Sequence, residues 1–99
     1  MDVPEHFAIR VRERIGNVDP GLLFEGLQWA ITEHRDDLVR YRGRISKNGL
    51  RLFEFRVPDG RHFFALVKTV TSPIPITVFP EGFQINREGK PPIKLDRAA

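Results

Sequence analysis

The chain has 99 residues, of which 40% are hydrophobic, including eight phenylalanines; this suits one globular domain with a single core and argues against wholesale disorder. It contains no cysteine, which excludes disulfides and thiolate zinc sites. No apolar run approaches the roughly 20 residues needed to cross a bilayer, and residues 1–5 do not begin a signal peptide. We therefore expect a cytoplasmic protein with no membrane partner.

The net charge of +3 is unevenly distributed along the chain. Residues 1–39 carry four arginines and eight acidic residues, whereas residues 40–62 carry six arginines and one lysine against two acidic residues. This pattern indicates a two-sided molecule whose basic side suits an anionic partner. Ordinary solvated strand faces are the alternative explanation.

Two helices are predicted in the first third of the chain. Phe7, Val11 and Ile15 recur every four residues, which predicts a short amphipathic helix that ends at Gly16–Asn17. Asp19–Pro20 then supplies an N-cap followed by proline at the first helical position, a strong start signal. A stripe at helical spacing continues to near Asp36 through Leu23, Leu27, Ala30, Ile31 and His34.

From Val39 the period changes to two, which predicts four antiparallel strands. We expect these strands at residues 39–45, 51–57, 61–70 and 74–79, with turns at Lys47–Asn48–Gly49 and Pro58–Asp59–Gly60. Pro75 has no N–H to donate, so we expect it among the first residues of the fourth strand or on an edge of the sheet. The prediction is an α+β fold in which two N-terminal helices pack on a four-stranded antiparallel β-meander.

One domain is predicted over residues 1–80, with no internal repeat. Residues 81–99 contain several glycines and prolines, which favours an extended C-terminal tail. Ile85, Ile93 and Leu95 are the hydrophobic residues that would dock this tail along the sheet.

Three groups of polar residues are candidates for a site. On the first helix, His6, Arg10 and Arg14 share one ridge, where an imidazole can exchange protons and arginines can hold phosphate. The alternative is a solvated stripe paired with neighbouring glutamates. A metal site would require His6, His34 and His62 to converge from three separate elements, so we do not expect one.

The second group is the row Arg40, Arg42 and Arg44, which alternation places on one side of the first strand. Such a row suits a phosphate backbone. Tyr41 lies on the other side by the same alternation, which makes base stacking beside the arginines unfavourable. A solvated sheet face paired with Glu54 is the alternative.

The third group lies at the end of the third strand, where Lys68 shares a face with His62, Phe64 and Leu66. A lysine there can extend to solvent, or it can be held beside an anion. Hydroxyl groups surround the same turn, at Thr69, Thr71, Ser72 and Thr77.

The order of elements, together with VKT at residues 67–69 and ITVFP at residues 76–80, resembles the barnase–EndoU–colicin–RelE-like superfamily of small metal-independent ribonucleases. The phage-encoded and toxin-domain members are the most similar. The resemblance implies cleavage of RNA by attack of a 2′-hydroxyl on the adjacent phosphate, with no cofactor. Its implied partners are RNA and a protein inhibitor or immunity protein.

The resemblance also implies roles for particular residues. His6 would be the acid or base, Lys68 and Arg10 would stabilise phosphate, and Thr77 would donate a hydrogen bond. Further substrate-binding candidates are Arg40, Arg42, Arg44, Arg51, His62 and Thr69. The rival hypothesis is a non-catalytic interaction or structural module, of the kind found among small phage proteins, that binds a partner through its basic sheet.

Overall fold

A computed structural model of the chain describes residues 3–45, 49–57, 60–69 and 72–96. The helices are α1 (Glu5–Arg14) and α2 (Pro20–Thr32), and the strands are β1 (Val39–Arg44), β2 (Leu50–Arg56), β3 (His62–Thr69), β4 (Pro73–Pro80), β5 (Gln84–Arg87) and β6 (Lys90–Lys94). Strands β1–β4 form one antiparallel sheet in sequence order, and β5 and β6 form a separate antiparallel pair. The predicted α+β fold, with two helices packed on a four-stranded antiparallel meander, is confirmed.

Helix α2 begins as its sequence indicates. Asp19 is the N-cap, and its Oδ1 accepts the backbone N–H groups of Gly21 at 2.8 Å and Leu22 at 3.2 Å. Pro20 occupies the first helical position, where its missing N–H has no intrahelical partner to lose. Both signals were present in the Asp19–Pro20 pair.

The other end of α2 differs from the prediction. The helix ends at Thr32, so its predicted continuation to near Asp36 is wrong. His34 adopts a φ of 53°, which is left-handed and cannot continue the helix. The N–H of Arg35 then turns back to the carbonyl of Ala30 at 2.9 Å, which closes the last turn.

The two helices cover one face of the main sheet, called here the helix face. Phe7 and Val11 of α1 and Leu27 and Ala30 of α2 are fully buried there. They pack in one cluster with strand residues that include Phe53, Phe55, Phe63, Ala65, Val67 and Val78. This is the larger hydrophobic core, and it explains how two short helices are held on the sheet.

The opposite face of the sheet, called here the hairpin face, is partly covered by the β5–β6 hairpin. Leu52, Phe64 and Leu95 are buried in a second hydrophobic cluster. Partly buried residues packed against it include Leu66, Phe79, Ile85 and Ile93. Residues 84–94, expected to form part of an extended tail, pair with each other as two strands over this face.

A β-bulge interrupts β1 next to Gly43, which has a φ of 132°. Glycine adopts such backbone conformations without the clash that a side chain would cause. As a result, Arg40 lies opposite Glu54 on the hairpin face, whereas Arg44 lies opposite Arg51 on the helix face. The predicted single row of three arginines is therefore wrong, because the bulge shifts the alternation by one residue.

Parts of two predicted turns and of the β3–β4 connection fall outside the described residues. They are Lys47–Asn48, Pro58–Asp59, Val70, Thr71 and the side chain of Thr69. The glycines that complete the two turns, Gly49 and Gly60, have φ values of 81° and 93°, as such turns require. Pro75 lies in β4, an edge strand, as predicted. In the described parts of the chain, no helix is long and apolar enough to cross a membrane.

Candidate functional site

A buried carboxylate lies on the hairpin face of β2. Glu54 is 5% exposed, and its neighbours Phe53 and Phe55 point to the helix face. Among the described residues it is the one buried side chain that carries a charge. A carboxylate is costly to bury unless it is paired and hydrogen-bonded, so its partners determine what this position can do.

Each oxygen of Glu54 has a basic partner. Arg42 donates from Nη1 to Oε1 at 2.5 Å, and His62 donates from Nδ1 to Oε2 at 2.6 Å. The same Arg42 nitrogen donates to the backbone carbonyl of Asp96 at 2.8 Å, and its guanidinium lies 5.4 Å from the centre of the Phe64 ring. The carboxylate is therefore held between an arginine from β1 and a histidine from β3.

Strand register explains why these residues meet. His62 lies directly opposite Arg56, and Glu54 is two residues before Arg56 on the same strand. Glu54 and His62 are thus diagonal neighbours on one face of the β2–β3 pair, a separation that long side chains can bridge. On the other side of β2, Arg42 occupies the bulge of β1 and reaches Glu54 from there.

A groove of about 290 Å³ lies beside this pair at one end of the sheet. It is lined by polar and charged residues that include Asp36, Asp37, Arg40, Glu54, Arg56 and His62. The His62 side chain is 22% exposed, and its Nδ1 is already bonded to Glu54. Its Nε2 is therefore the ring atom left to exchange a proton with a bound molecule.

The charges around this groove, called here the His62 groove, favour an anion. Arg35 donates two hydrogen bonds to Asp37, at 3.0 Å and 2.8 Å, which hold the pKa of that carboxyl below its ordinary value and balance its charge. Glu54 is balanced in the same way by its own partners. Within the described part of the chain, Arg40 and Arg56 have no ion-pair partner, so the lining has two cations against the one remaining acid, Asp36.

A smaller cavity of about 120 Å³ touches His62 from the other side and is also lined by Arg14 and Arg61. Arg14 donates to the carbonyl of Val78 at 3.0 Å, and Arg61 donates to that of Ile15 at 2.8 Å.

Burial, together with the nearby charge of Arg10, lowers the pKa of Arg14 from its ordinary value. The Arg14 guanidinium lies over two rings, those of Phe79 at 4.7 Å and Phe83 at 5.0 Å. Two further arginines thus share a cavity with His62.

The residues that the resemblance placed at the centre of the chemistry lie elsewhere. His6 is exposed in the first turn of α1, and Arg10 on the same ridge pairs with Glu13 at 3.2 Å, as the solvated-stripe alternative expects. Lys68 is exposed on the hairpin-face side of β3, six residues from His62, which is about 20 Å along a strand. The structure therefore places His62 and Lys68 at opposite ends of β3, and neither His6 nor Lys68 lines the His62 groove.

Thr77 is 8% exposed and lies opposite Leu66 on the hairpin-face side. Its Oγ1 is buried and, among the described residues, has no hydrogen-bond partner. Thr69 ends β3 opposite Pro73, and its side chain lies outside the described residues. Thr77 does not line the His62 groove.

The remaining predicted residues divide between the two faces of the sheet. Arg40, Arg42 and His62 belong to the groove or to the Glu54 network, whereas Arg44 and Arg51 face each other on the helix face. The pairing of the arginine row with Glu54, which sequence analysis gave as the structural alternative, occurs through Arg42, but around a buried carboxylate and not a solvated one.

The sequence pattern did not predict Glu54 or Arg56 as site residues. The available signal was the alternation in LFEFR, residues 52–56, which puts an acid on the face opposite two phenylalanines. That pattern predicts on which face of the sheet Glu54 lies. It does not predict the register between β2 and β3, which brings His62 next to Glu54.

Among the described residues there is no group of three or more histidine, aspartate or glutamate side chains placed to hold a metal ion. Comparison with models of known protein families, with curated proteins and with solved structures finds no match to this chain. The geometry of the His62 groove and the resemblance of the sequence to the small ribonuclease superfamily are the two indications of function.

Proposed function

We propose that the protein is a metal-independent, RNA-directed nuclease-like domain whose chemistry takes place in the His62 groove. The observation that carries this proposal is the His62–Glu54 pair, with Nδ1 bonded to a buried carboxylate at 2.6 Å, beside two arginines. A histidine oriented by a carboxylate, next to groups that attract phosphate, is suited to proton transfer during phosphoryl chemistry.

In the proposed reaction, His62 carries its neutral-state proton on Nδ1 and takes a proton on Nε2 from the 2′-hydroxyl of the RNA. The 2′-oxygen then forms a bond to the adjacent phosphorus, and the bond from phosphorus to the 5′-oxygen breaks. The 5′-oxygen takes a proton from water, and the imidazolium of His62 returns its proton to the hydroxide that remains, so that the products are a 2′,3′-cyclic phosphate and a 5′-hydroxyl. Glu54 stabilises the imidazolium that forms, and Arg40 and Arg56 stabilise the charge that develops on the phosphoryl oxygens.

The resemblance to the small ribonuclease superfamily supports the same class of reaction, although it assigned the roles differently. It implied His6 and Lys68 as central groups, with Thr77 beside them. We instead assign the proton-exchanging role to His62 and the phosphate-binding roles to Arg40 and Arg56, because these residues share one groove.

A second candidate function follows from the contacts of Arg42. This side chain joins Glu54 to the backbone of Asp96, the residue after Leu95, so the network also fastens the end of the chain's hairpin segment to the sheet. Under this alternative the network is structural, and the basic surface binds RNA or a protein partner without cleaving it.

An RNA cleavage assay in EDTA distinguishes the two functions. Fluorescently labelled single-stranded RNA is incubated with the parent protein, with His62→Gln, and with His6→Gln as a matched control for an exposed histidine outside the groove. We expect cleavage by the parent and by His6→Gln, and a loss of about 10²–10⁴-fold in His62→Gln, the usual contribution of a positioned acid or base. RNA left intact by the parent, or cleavage that depends on His6 and not on His62, would contradict the proposal.

A further inference from the structure

A second groove lies on the helix face, where the proposed reaction does not use it. It has a volume of about 400 Å³ and lies between the end of α2 and the first two strands. Its lining residues are Ile31, His34, Tyr41, Arg51 and Phe53. It is called here the Tyr41 groove, and it lies on the opposite side of the sheet from the His62 groove.

One wall of the Tyr41 groove is aromatic. Tyr41 lies directly opposite Phe53 on the neighbouring strand, and their ring centres are 5.5 Å apart. Phe53 is buried in the main core, whereas Tyr41 is 55% exposed. The tyrosine ring is therefore supported from the core side and open to solvent, which suits stacking by a planar ligand.

Positive charge is concentrated at one edge of this groove, where Arg51 lines it and Arg44 lies on the neighbouring strand. Arg44 lies directly opposite Arg51, and like charges at directly opposed positions repel each other. In the part of the chain that the structure describes, neither guanidinium has an ion-pair partner. An anion bound between them would relieve the repulsion, and a phosphate group fits because each guanidinium can donate two hydrogen bonds to it.

The β-bulge brings the aromatic and cationic groups to one side of the sheet. Regular alternation would put Tyr41 and Arg44 on opposite faces, but the register shift next to Gly43 gives them the same face. His34 supplies part of the opposite wall, at the left-handed residue that follows α2. A stacking surface and a phosphate-binding pair therefore occur together, which neither strand's sequence alone predicts.

We infer that the Tyr41 groove binds one nucleotide unit, with its base against Tyr41 and its phosphate between Arg44 and Arg51. The nucleotide is either an unpaired residue of an RNA strand or a free mononucleotide, since both present a base and a phosphate. Only the choice of RNA as the source rests on the proposed function; the binding itself requires no cleavage.

Calorimetric titration with two probes tests the inference. One probe is single-stranded 2′-O-methyl hexaadenylate, which lacks the free 2′-hydroxyl that cleavage requires, and the other is adenosine 5′-monophosphate. We expect saturable binding that Tyr41→Leu and Arg51→Gln each weaken by at least about fivefold, because stacking and charge-assisted bonds are lost. Tyr41→Phe should retain binding, because its ring still stacks.

Two control variants test whether a loss of binding is specific to the Tyr41 groove. Arg12→Gln removes an exposed arginine of α1, and Lys90→Gln removes an exposed lysine of β6; neither residue lines the Tyr41 groove or the His62 groove. Both should bind the hexanucleotide as the parent does. Tighter binding of the hexanucleotide than of the mononucleotide assigns the groove to an RNA strand, and equal binding assigns it to a free nucleotide.

The binding and cleavage experiments can fail independently of each other. If neither probe binds, or if Tyr41→Leu and Arg51→Gln bind the hexanucleotide as tightly as the parent, the Tyr41 groove is not a nucleotide site, whatever the cleavage assay shows. Loss of cleavage in His62→Gln, together with weaker hexanucleotide binding by Tyr41→Leu and Arg51→Gln, would support both proposals at once.

Discussion

The two faces of the main sheet are built from the same four strands but differ in how completely they are covered. The helix face packs under α1 and α2 into one cluster that contains most of the buried hydrophobic residues. The hairpin face has a smaller cluster under β5 and β6, and the end of the sheet that this hairpin leaves open carries the Glu54–His62 pair. The margin of the smaller cover thus accommodates an ionisable pair, in which Glu54 is buried and hydrogen-bonded and His62 stays partly exposed.

Neighbouring phenylalanines on β3 give the most direct test of this comparison. Phe63 and Phe64 are both buried, but Phe63 packs in the helix-face cluster and Phe64 in the hairpin-face cluster. We expect Phe63→Ala to lower the free energy of unfolding by about 3–5 kcal/mol, and Phe64→Ala to lower it less, because the smaller cover can collapse into the cavity. Urea unfolding of the two variants measures the difference. An equal or greater loss for Phe64→Ala would show that the hairpin is as firmly packed as the helices.

Removing a buried hydroxyl on the hairpin face should change the stability by less than the phenylalanine substitutions do, and in the opposite direction. Thr77 Oγ1 is buried without a hydrogen-bond partner among the described residues. Thr77→Val keeps the branched shape, suits a strand and removes the unsatisfied oxygen, so we expect the protein to be more stable by about 1 kcal/mol. Thermal unfolding measures the gain, and RNA cleavage should be unchanged because Thr77 does not line the His62 groove. A loss of cleavage in a stably folded Thr77→Val would restore the catalytic role that the sequence resemblance implied.

The smallest expected effect concerns the acidic wall of the His62 groove. Hydrogen bonds from Arg35 lower the pKa of Asp37 in the folded protein. The resulting stabilisation is present above the ordinary pKa of an aspartate and is lost as the pH falls through the lowered value. Asp37→Asn should therefore unfold at a slightly lower temperature than the parent at pH 7, and the difference should shrink as the pH falls through the lowered pKa of Asp37, where its carboxyl becomes neutral. A difference that persists at low pH would assign the effect to packing and not to charge.

The sequence was sufficient for the order and type of the main elements. The spacing of Phe7 and Val11, the Asp19–Pro20 cap and the two-residue period after Val39 each correspond to a helix or strand of the structure. These features are local, because each depends on residues within a few positions of one another. His34 is an instructive exception, since it continues the helical stripe in sequence but takes the left-handed conformation that follows the helix.

The candidate sites depended on features that a single strand's sequence does not contain. The bulge next to Gly43 adds one residue to β1 and reverses the face of Arg44, and no residue pattern in β1 distinguishes it from an ordinary strand glycine. The meeting of Glu54 with His62 depends on the β2–β3 register, which is set by the turn between them. Lys68 and His62 share a face of β3, as their spacing predicts, but a shared face does not bring together residues at opposite ends of a strand.

We propose that His62 performs the proton transfer for RNA cleavage in its groove. The most direct measurement uses a 2′-O-methyl oligonucleotide that contains a single ribose, incubated in EDTA and followed by mass spectrometry of the products. We expect one cut, 3′ to the ribose, with a 2′,3′-cyclic phosphate on one product and a 5′-hydroxyl on the other, and no cut by His62→Gln. An uncut oligonucleotide with the parent protein, or the same cut with folded His62→Gln, would contradict the claim.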